Sequence, residues 1–395
     1  MTGNPLTDDL RAQTRGLVEC LEACLATDES EPFFLALRDT DLPFLPCHYG
    51  TDGSLLHRRC FEVLHSLGGV SPAATVGVVM HLYMLAAVAT FPIPDAHEAL
   101  MARRRLFLEH VGTARLLIAN SGFDATGGAA ASPRSDTRAR PRPDGFEING
   151  RKAFLSLATR ADLIIFTADL EGEGQAAFLS ALKGVPTIEI GPPTFGTGMR
   201  EADTRSITFH QTWLPAESLI ASGADASRMH AFQRAWFESL IPAVYLGAAA
   251  RAIEEVRQFA RTMRGPAGSL RAEQDALCVE VGRCVLRHRA ACALAQHAGE
   301  ALGALAGARA PGSGPWQEAI GLTTAAKYVG AETAETIVGR CRRLVGTRSL
   351  VAGTVLERLS REVMFGALHP QKALSVERTA GRDALGDHPL NAPTC

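Results

Sequence analysis

The side chains best suited to chemistry in this sequence are nine cysteines, a histidine set in an apolar run, and a short series of alternating arginines. Thiols paired as C-x-x-C hold zinc or cycle between dithiol and disulfide. Cys20, Cys24, Cys47, Cys60, Cys278, Cys284, Cys292, Cys341 and Cys395 are odd in number, scattered and never so paired. They read as reduced thiols of a cytoplasmic protein with no metal site. His81 lies at the centre of Val70 to Phe91, a stretch apolar enough to raise the question of a membrane helix. The run barely reaches spanning length and carries an imidazole, so a buried helix is expected. Arg134, Arg138, Arg140 and Arg142 would suit an anion site or the solvated face of a strand. Only four of the 40 basic residues are lysine, so arginine is a habit of the whole chain and the solvated face is the simpler reading. The sequence lacks G-x-G-x-x-G after a strand, G-x-x-x-x-G-K-[ST], H-E-x-x-H and G-x-S-x-G, which removes Rossmann, P-loop, zincin and hydrolase-elbow readings.

The elements that must position these groups fall into three blocks. At 395 residues the chain exceeds one core, and about 150 residues per domain gives two or three. Residues 1–119 carry helical periodicity over Asp9 to Ala26, Leu55 to Leu67, Pro72 to Thr90 and Ala96 to Ala119. Residues 120–222 turn to short β-type runs between turn dipeptides. Asp144-Gly145 and Asn149-Gly150 bracket Phe146 to Ile148. Arg151 to Ser156, Leu163 to Thr167, Ala176 to Ala181, Thr187 to Ile190 and Arg205 to His210 follow as strands. Residues 223–395 return to long amphipathic runs: Ala231 to Met263 with a kink expected at Pro242, Ser269 to Ala306, Trp316 to Leu344 and Leu350 to Ala367. The expected fold is α+β: a helical domain, an antiparallel β-domain and a helical bundle. A net charge of −2 offers no field for nucleic acid, and the N-terminus lacks the basic and apolar regions of a signal peptide.

Several strings in this order resemble the acyl-CoA dehydrogenase superfamily. Asp144-Gly-Phe-Glu-Ile-Asn-Gly-Arg-Lys-Ala-Phe-Leu-Ser156 is similar to its N-G-x-K-x-W-I-T-N strand. Gly198-Met-Arg-Glu-Ala-Asp-Thr-Arg-Ser-Ile-Thr-Phe209 with Leu214-Pro-Ala-Glu-Ser-Leu-Ile220 resembles its G-x-R-x-S-D-T-x-x-V-x-F and V-P-x-E-N-x-L strings. Leu246 to Glu255 resembles the start of its bundle. Glu357-Arg-Leu-Ser-Arg-Glu362 resembles the helix with an R-D pair, Glu362 standing for the aspartate. The resemblance implies a helical domain, a β-barrel-like middle domain and a four-helix bundle, with flavin between the last two in a homodimer or homotetramer.

The departures sort the activity. Counting from Arg361, the glutamate of the family's Y-E-G-T loop falls on Pro370, which takes no proton. Other members carry the base about ten residues before the glycine matching Gly247, where Glu238 stands nine before it, as either a base or an ion-paired helix glutamate. A histidine eight residues after the arginine, here His369, resembles the reduced-flavin monooxygenases, and His81 sits near their second active-site histidine. There a histidine would hold the proton that turns bound superoxide into flavin hydroperoxide; the alternative for both is a hydrogen-bonded core residue. For the isoalloxazine the resemblance implies Asn120, Ser121, Phe154 and Ser156. For the dinucleotide half it implies Arg264, Gln274, Arg343 and Gly346, in altered surroundings. Two activities stand open: a monooxygenase taking reduced FAD or FMN from a separate reductase, and an FAD-dependent acyl-thioester (acyl-CoA or acyl-carrier-protein) dehydrogenase with Glu238 as base. The substrate is then small, aromatic or heteroatom-bearing, or carrier-bound. A third option is a scaffold whose flavin site has decayed.

Overall fold

The computed structural model describes residues 5–50, 52–93, 97–122, 135–196, 198–265, 268–305, 313–370 and 372–386. Arg134, residues 123–127 of the segment after Asn120, Pro266, Ala267 and Cys395 lie outside the described residues. Helices α1 (Asp8–Thr27), α2 (Glu31–Asp39), α3 (Leu45–Tyr49), α4 (Gly53–Gly68), α5 (Pro72–Thr90) and α6 (Glu98–Thr113) come first. Helix α5 has the boundaries its apolar run predicts. It is long and apolar enough to cross a membrane, yet 83% of its apolar window is buried inside the protein. Helix α6 ends earlier than expected: Arg115 takes a φ of 50°, and the chain enters strand β1 (Ile118–Ser121) where the sequence reading continues the helix to Ala119.

The middle sheet adds β2 (Arg138–Arg142), β3 (Gly145–Leu155), β4 (Leu163–Leu170), β5 (Gly174–Ala181), β6 (Ile188–Pro193), β7 (Arg205–Pro215) and β8 (Leu219–Ser222). Their order is β6-β7-β3-β2-β4-β5-β8. Pairing is antiparallel except that β1 and β2 each run parallel to β4, so the sheet is mixed rather than purely antiparallel. Asp144 and Gly145 turn β2 into β3 as the dipeptide predicts. Asn149-Gly150 is a bulge inside β3 instead of a turn: Gly150 has a φ of +133°, and a Cβ there would lie 2.6 Å from Thr137 Cα. Arg138, Arg140 and Arg142 are exposed, with Arg142 paired to Glu147 at 2.8 Å and Arg140 to Glu171 at 3.3 Å, which is the solvated face.

Three long helices follow: α7 (Gly223–Thr262), α8 (Asp275–Ala304) and α9 (Ser313–Val345). Helix α7 starts at Gly223 rather than Ala231 and runs on through Pro242. Pro242 has no N–H for the carbonyl of Glu238, and it packs on Gly330 of α9, where a Cβ would stand 2.8 Å from its own. The expected fourth helix is broken. Gly353, at a φ of +81°, turns the chain into α10 (Val355–Glu362), and a separate turn, α11 (Phe365–Leu368), precedes α12 (Ala373–Leu385). Helix α4 joins this bundle, packing on α7 and α8.

The α4–α7 crossing depends on missing side chains. A Cβ on Gly247 would lie 2.1 Å from the carbonyl oxygen of His65, and one on Gly68 would lie 2.2 Å from that of Val244. Gly247→Ala therefore forces two backbones apart and costs about 1–3 kcal/mol or more, read from urea unfolding.

Glu362 ties α10 to the N-terminus of α5: one carboxyl oxygen accepts from Ala73 N at 2.9 Å and from Ser71 Oγ at 3.3 Å. Burial raises its pKa from 4.5 to about 8 despite the Ala73 amide. The folded protein thus holds a proton that the unfolded chain releases. Stability from neutral Glu362 is complete below pH 4.5 and is lost as pH rises toward about 8. Glu362→Gln is expected to flatten that decline in unfolding curves collected across the window.

Candidate functional site

The middle of α5, the end of β1, α7, α9 and the segment after α11 converge on one group of polar and aromatic side chains. Phe237 of α7 is its hub. The His369 ring meets Phe237 edge-on with centroids 5.7 Å apart, and Tyr83 of α5 meets it edge-on at 5.3 Å. Two turns along α7, Tyr245 places Oη 2.6 Å from His369 Nε2. Lys327 of α9 donates from Nζ to the His369 carbonyl at 3.3 Å. On the far side Tyr83 Oη donates to Asn120 Oδ1 at 2.5 Å, and Asn120 Nδ2 donates to the Met80 carbonyl at 3.0 Å.

The protonation of His369 follows from its partner. Tyr245 is 1% exposed, and His369 Nε2 is the only hydrogen-bond acceptor for its hydroxyl among the described residues. A buried phenol left without an acceptor is costly, so Tyr245 donates, Nε2 accepts, and the ring proton sits on Nδ1. Burial, aided by the charge of Lys327, holds His369 down to about 3. Burial also keeps Tyr245 well above the ordinary phenol value. The pair is therefore neutral, and Nδ1–H is its outward donor.

The other predicted catalytic residues are placed differently. His81 is 1% exposed; Nε2 lies 3.0 Å from the Pro43 carbonyl, and Nδ1 accepts from Ile118 N at 3.0 Å. Both ring nitrogens are spent on the backbone, and burial lowers its pKa to about 4, so His81 is the hydrogen-bonded core histidine of the two alternatives. Glu238 is fully buried. Its Oε2 accepts from Thr324 Oγ1 at 2.7 Å, while Oε1 lies 3.7 Å from Arg234 Nε and has no hydrogen bond. Burial raises its pKa against the pull of Thr324, Arg234 and Lys327. This is the paired helix glutamate, held between α7 and α9.

Of the flavin-contact residues, Phe154 is 51% exposed at a φ of 56°, a costly conformation for a bulky residue. Its ring stacks on Phe195 at 6.2 Å, and Phe195 meets Phe365 of α11 edge-on at 5.3 Å. A groove of about 270 Å³ opens beside it between Arg151, Pro192, Thr194 and Ser206. An exposed aromatic face with nearby hydroxyls and a guanidinium fits a flavin ring and its phosphate. Ser121 Oγ donates to the Ala153 carbonyl at 3.1 Å, beside that face. Ser156 is buried, its Oγ 3.0 Å from Thr204 Oγ1, so it supports β3 rather than lining the groove.

The dinucleotide residues gather elsewhere. Arg264 donates to the Gly268 carbonyl at 2.6 Å in the turn after α7, and the Gln274 side chain packs against Gly265 in the same turn. Arg343 and Gly346 end α9 on the exposed surface. Arg348 Nη1, 3.1 Å from Met263 Sδ, sets the two turns side by side. From Tyr245 to Met263 the helix rises about 27 Å, so these four residues are remote from His369 of the same chain.

Sequence reading did not single out Tyr83, Phe237, Tyr245 or Lys327. One signal was present. Tyrosine occurs only four times, and two of the four sit inside apolar helices, where a phenol needs a polar partner.

Residues 239–372 match the family described as acyl-CoA dehydrogenase, C-terminal domain. A curated relative, L-prolyl-[peptidyl-carrier protein] dehydrogenase of Serratia sp. (strain ATCC 39006), is 26% identical over 160 residues, 39% of this chain and 41% of the relative. Isobutylamine N-hydroxylase of Streptomyces viridifaciens is 26% identical over 230 residues, 54% of this chain and 57% of the relative. The chain thus spans about half the length of the curated relatives it matches. Among solved structures, FMN-bound TdsC from Paenibacillus sp. A11-2 superposes with a TM-score of 0.82 at 19% identity, over 96% of this chain and 97% of that one.

Proposed function

We propose that this chain, which has the acyl-CoA dehydrogenase fold and that superfamily's C-terminal domain, is a flavin-dependent oxidoreductase acting as a monooxygenase on a small or carrier-bound substrate. The observation that carries the reading is the neutral Tyr245–His369 pair, with Pro370 where a dehydrogenase would hold its base. Reduced flavin, when bound, supplies the electrons that activate dioxygen. Phe154 would hold the ring, with Arg151, Thr194 and Ser206 beside it for the phosphate of FMN or FAD, and buried Ser121 braces the strand behind it. His369 would offer Nδ1–H as a hydrogen-bond donor to the reacting oxygen, Tyr245 fixes the tautomer, and Phe237 and Tyr83 would exclude water around it. The N-hydroxylase relative and the FMN-bound neighbour support this branch.

The carrier-protein dehydrogenase relative supports the second reading, with Glu238 as base. Against it, Glu238 is committed to Thr324 and fully buried. Arg264 and Gln274, beyond the end of α7 about 27 Å from Tyr245, and Arg343 and Gly346, at the end of α9, suit the flavin of a neighbouring subunit and so a homo-oligomer. The deciding experiment mixes purified protein and photoreduced FMN or FAD with oxygen in the presence of candidate amines, indoles and carrier-bound acyl groups. Incorporation of labelled oxygen into product supports the monooxygenase. Anaerobic bleaching of bound FAD by an acyl thioester would replace it with the dehydrogenase.

A further inference from the structure

A second cluster of reactive side chains, independent of the flavin reading, lies where α4 crosses α7 and α8. Glycine sets its geometry. Gly68 and Gly247 let α4 and α7 meet backbone to backbone, while Gly299 and Gly303 of α8 leave room for His57 and Ser54 of α4, whose atoms a Cβ would approach to 2.0 and 2.4 Å. Helices this close bring His65 of α4 into one gap with His288 and Cys292, four residues apart on α8. His65 Nε2 lies 3.3 Å from His288 Nε2, Cys292 Sγ lies 3.7 Å from that same nitrogen, and one donor atom from each residue falls within 4.8 Å of the others.

The two shorter separations match those between ligands of one metal ion as well as hydrogen bonds, and the third is within 4.8 Å. Two nitrogens and a sulfur around one tetrahedral Zn²⁺, at about 2.05 and 2.3 Å from the metal, stand about 3.3 and 3.5 Å apart. A thiolate with two imidazoles selects zinc-like ions over magnesium or calcium. Glu62, one turn before His65, acts electrostatically on Cys292. With Cys292 as thiolate and Glu62 as carboxylate, a divalent ion here leaves no net charge in a partly buried gap. His288 Nε2 is also 3.0 Å from the Leu246 carbonyl. That carbonyl lies inside α7 and keeps its helical partner when the imidazole turns to a metal, so nothing is orphaned.

We propose that His65, His288 and Cys292 form a zinc-class site that clamps α4 to α8, with its fourth position open to water or Glu62. On binding, the Cys292 thiol passes its proton to the buffer and both imidazoles bind through neutral nitrogens. The site escaped the sequence reading because its ligands come from two helices and contain no C-x-x-C spacing.

The test uses the full chain, stripped with chelator and titrated with Co²⁺ and then Zn²⁺. One equivalent of Co²⁺ is expected to bring visible bands and a thiolate-to-cobalt charge-transfer band, both erased by Zn²⁺. Cys292→Ser should lose the charge-transfer band, and both it and His65→Gln should weaken binding at least about 100-fold, while Cys278→Ser changes neither. Circular dichroism checks that each variant is folded. If a variant unfolds, a Zn²⁺-dependent rise in melting temperature of the parent protein and its loss on carboxymethylating Cys292 serve in its place. Absence of the charge-transfer band in the folded parent, or equal affinity in Cys292→Ser, overturns the proposal.

Discussion

Replacing His369 with alanine lowers the yield of oxygenated product by about 10²- to 10³-fold, while reduced flavin is still consumed by oxygen and hydrogen peroxide accumulates instead. The size follows from removing a positioned hydrogen-bond donor from the oxygen on which charge develops. His369 Nδ1–H is set by Tyr245, whose hydroxyl reaches Nε2 at 2.6 Å and has no other acceptor among the described residues. Tyr245→Phe deletes that constraint but leaves the imidazole, so it should lower the product yield less than His369→Ala and leave substrate KM nearly unchanged. A merely structural histidine would instead move KM and stability together. The pH profile supplies an independent check. Because burial holds His369 down to about 3, its imidazole stays neutral through 6.5, and the coupling of flavin oxidation to product shows no inflection from this residue there. The stability it contributes as a neutral ring is present above 6.5 and is lost as pH falls toward about 3. Product yield is measured against flavin oxidised, with peroxide assayed in parallel.

The sequence showed the elements whose residues repeat and hid those that do not. Helices α1 and α4 emerge from apolar spacing because each buries one stripe, and α5 from its continuous apolar run, since it is buried on nearly every side. Helices α2 and α3 are short and begin with Pro32 and Pro46, and α12 buries no described residue, so none carries a period long enough to read. The four-residue strands β1 and β8 are set by pairing partners far along the chain. At the site, His369 was legible only through its spacing from Arg361. Tyr83, Phe237 and Tyr245 look like core in one dimension, since what makes them functional is their meeting around one imidazole. His81 misled for the complementary reason: Pro43 and Ile118, distant in sequence, consume both of its nitrogens.

Glu238 separates the two activities most sharply, through stability as much as rate. The carboxyl group is fully buried, accepts from Thr324, and shares its surroundings with Arg234 at 3.7 Å and with Lys327, itself 3% exposed. Burial raises the Glu238 pKa and lowers that of Lys327, each shift opposed by the charge of the other group. Removing the Glu238 side chain takes the acceptor from Thr324 and leaves a gap in a fully buried place, which costs about 1–3 kcal/mol. Glu238→Ala is therefore expected to lose stability in that range by urea unfolding, and Lys327→Met to lose a comparable amount. Glu238→Gln keeps the side-chain shape and the bond from Thr324, so it should cost far less and leave oxygenated product within about twofold, an effect under 0.5 kcal/mol at 298 K. The double variant Glu238→Gln, Lys327→Met should be more stable than Lys327→Met alone, because it removes the orphaned acid together with its cation. A base acting on substrate gives the opposite pattern. Glu238→Gln would then abolish turnover with stability unchanged, and that outcome would return the protein to the dehydrogenases.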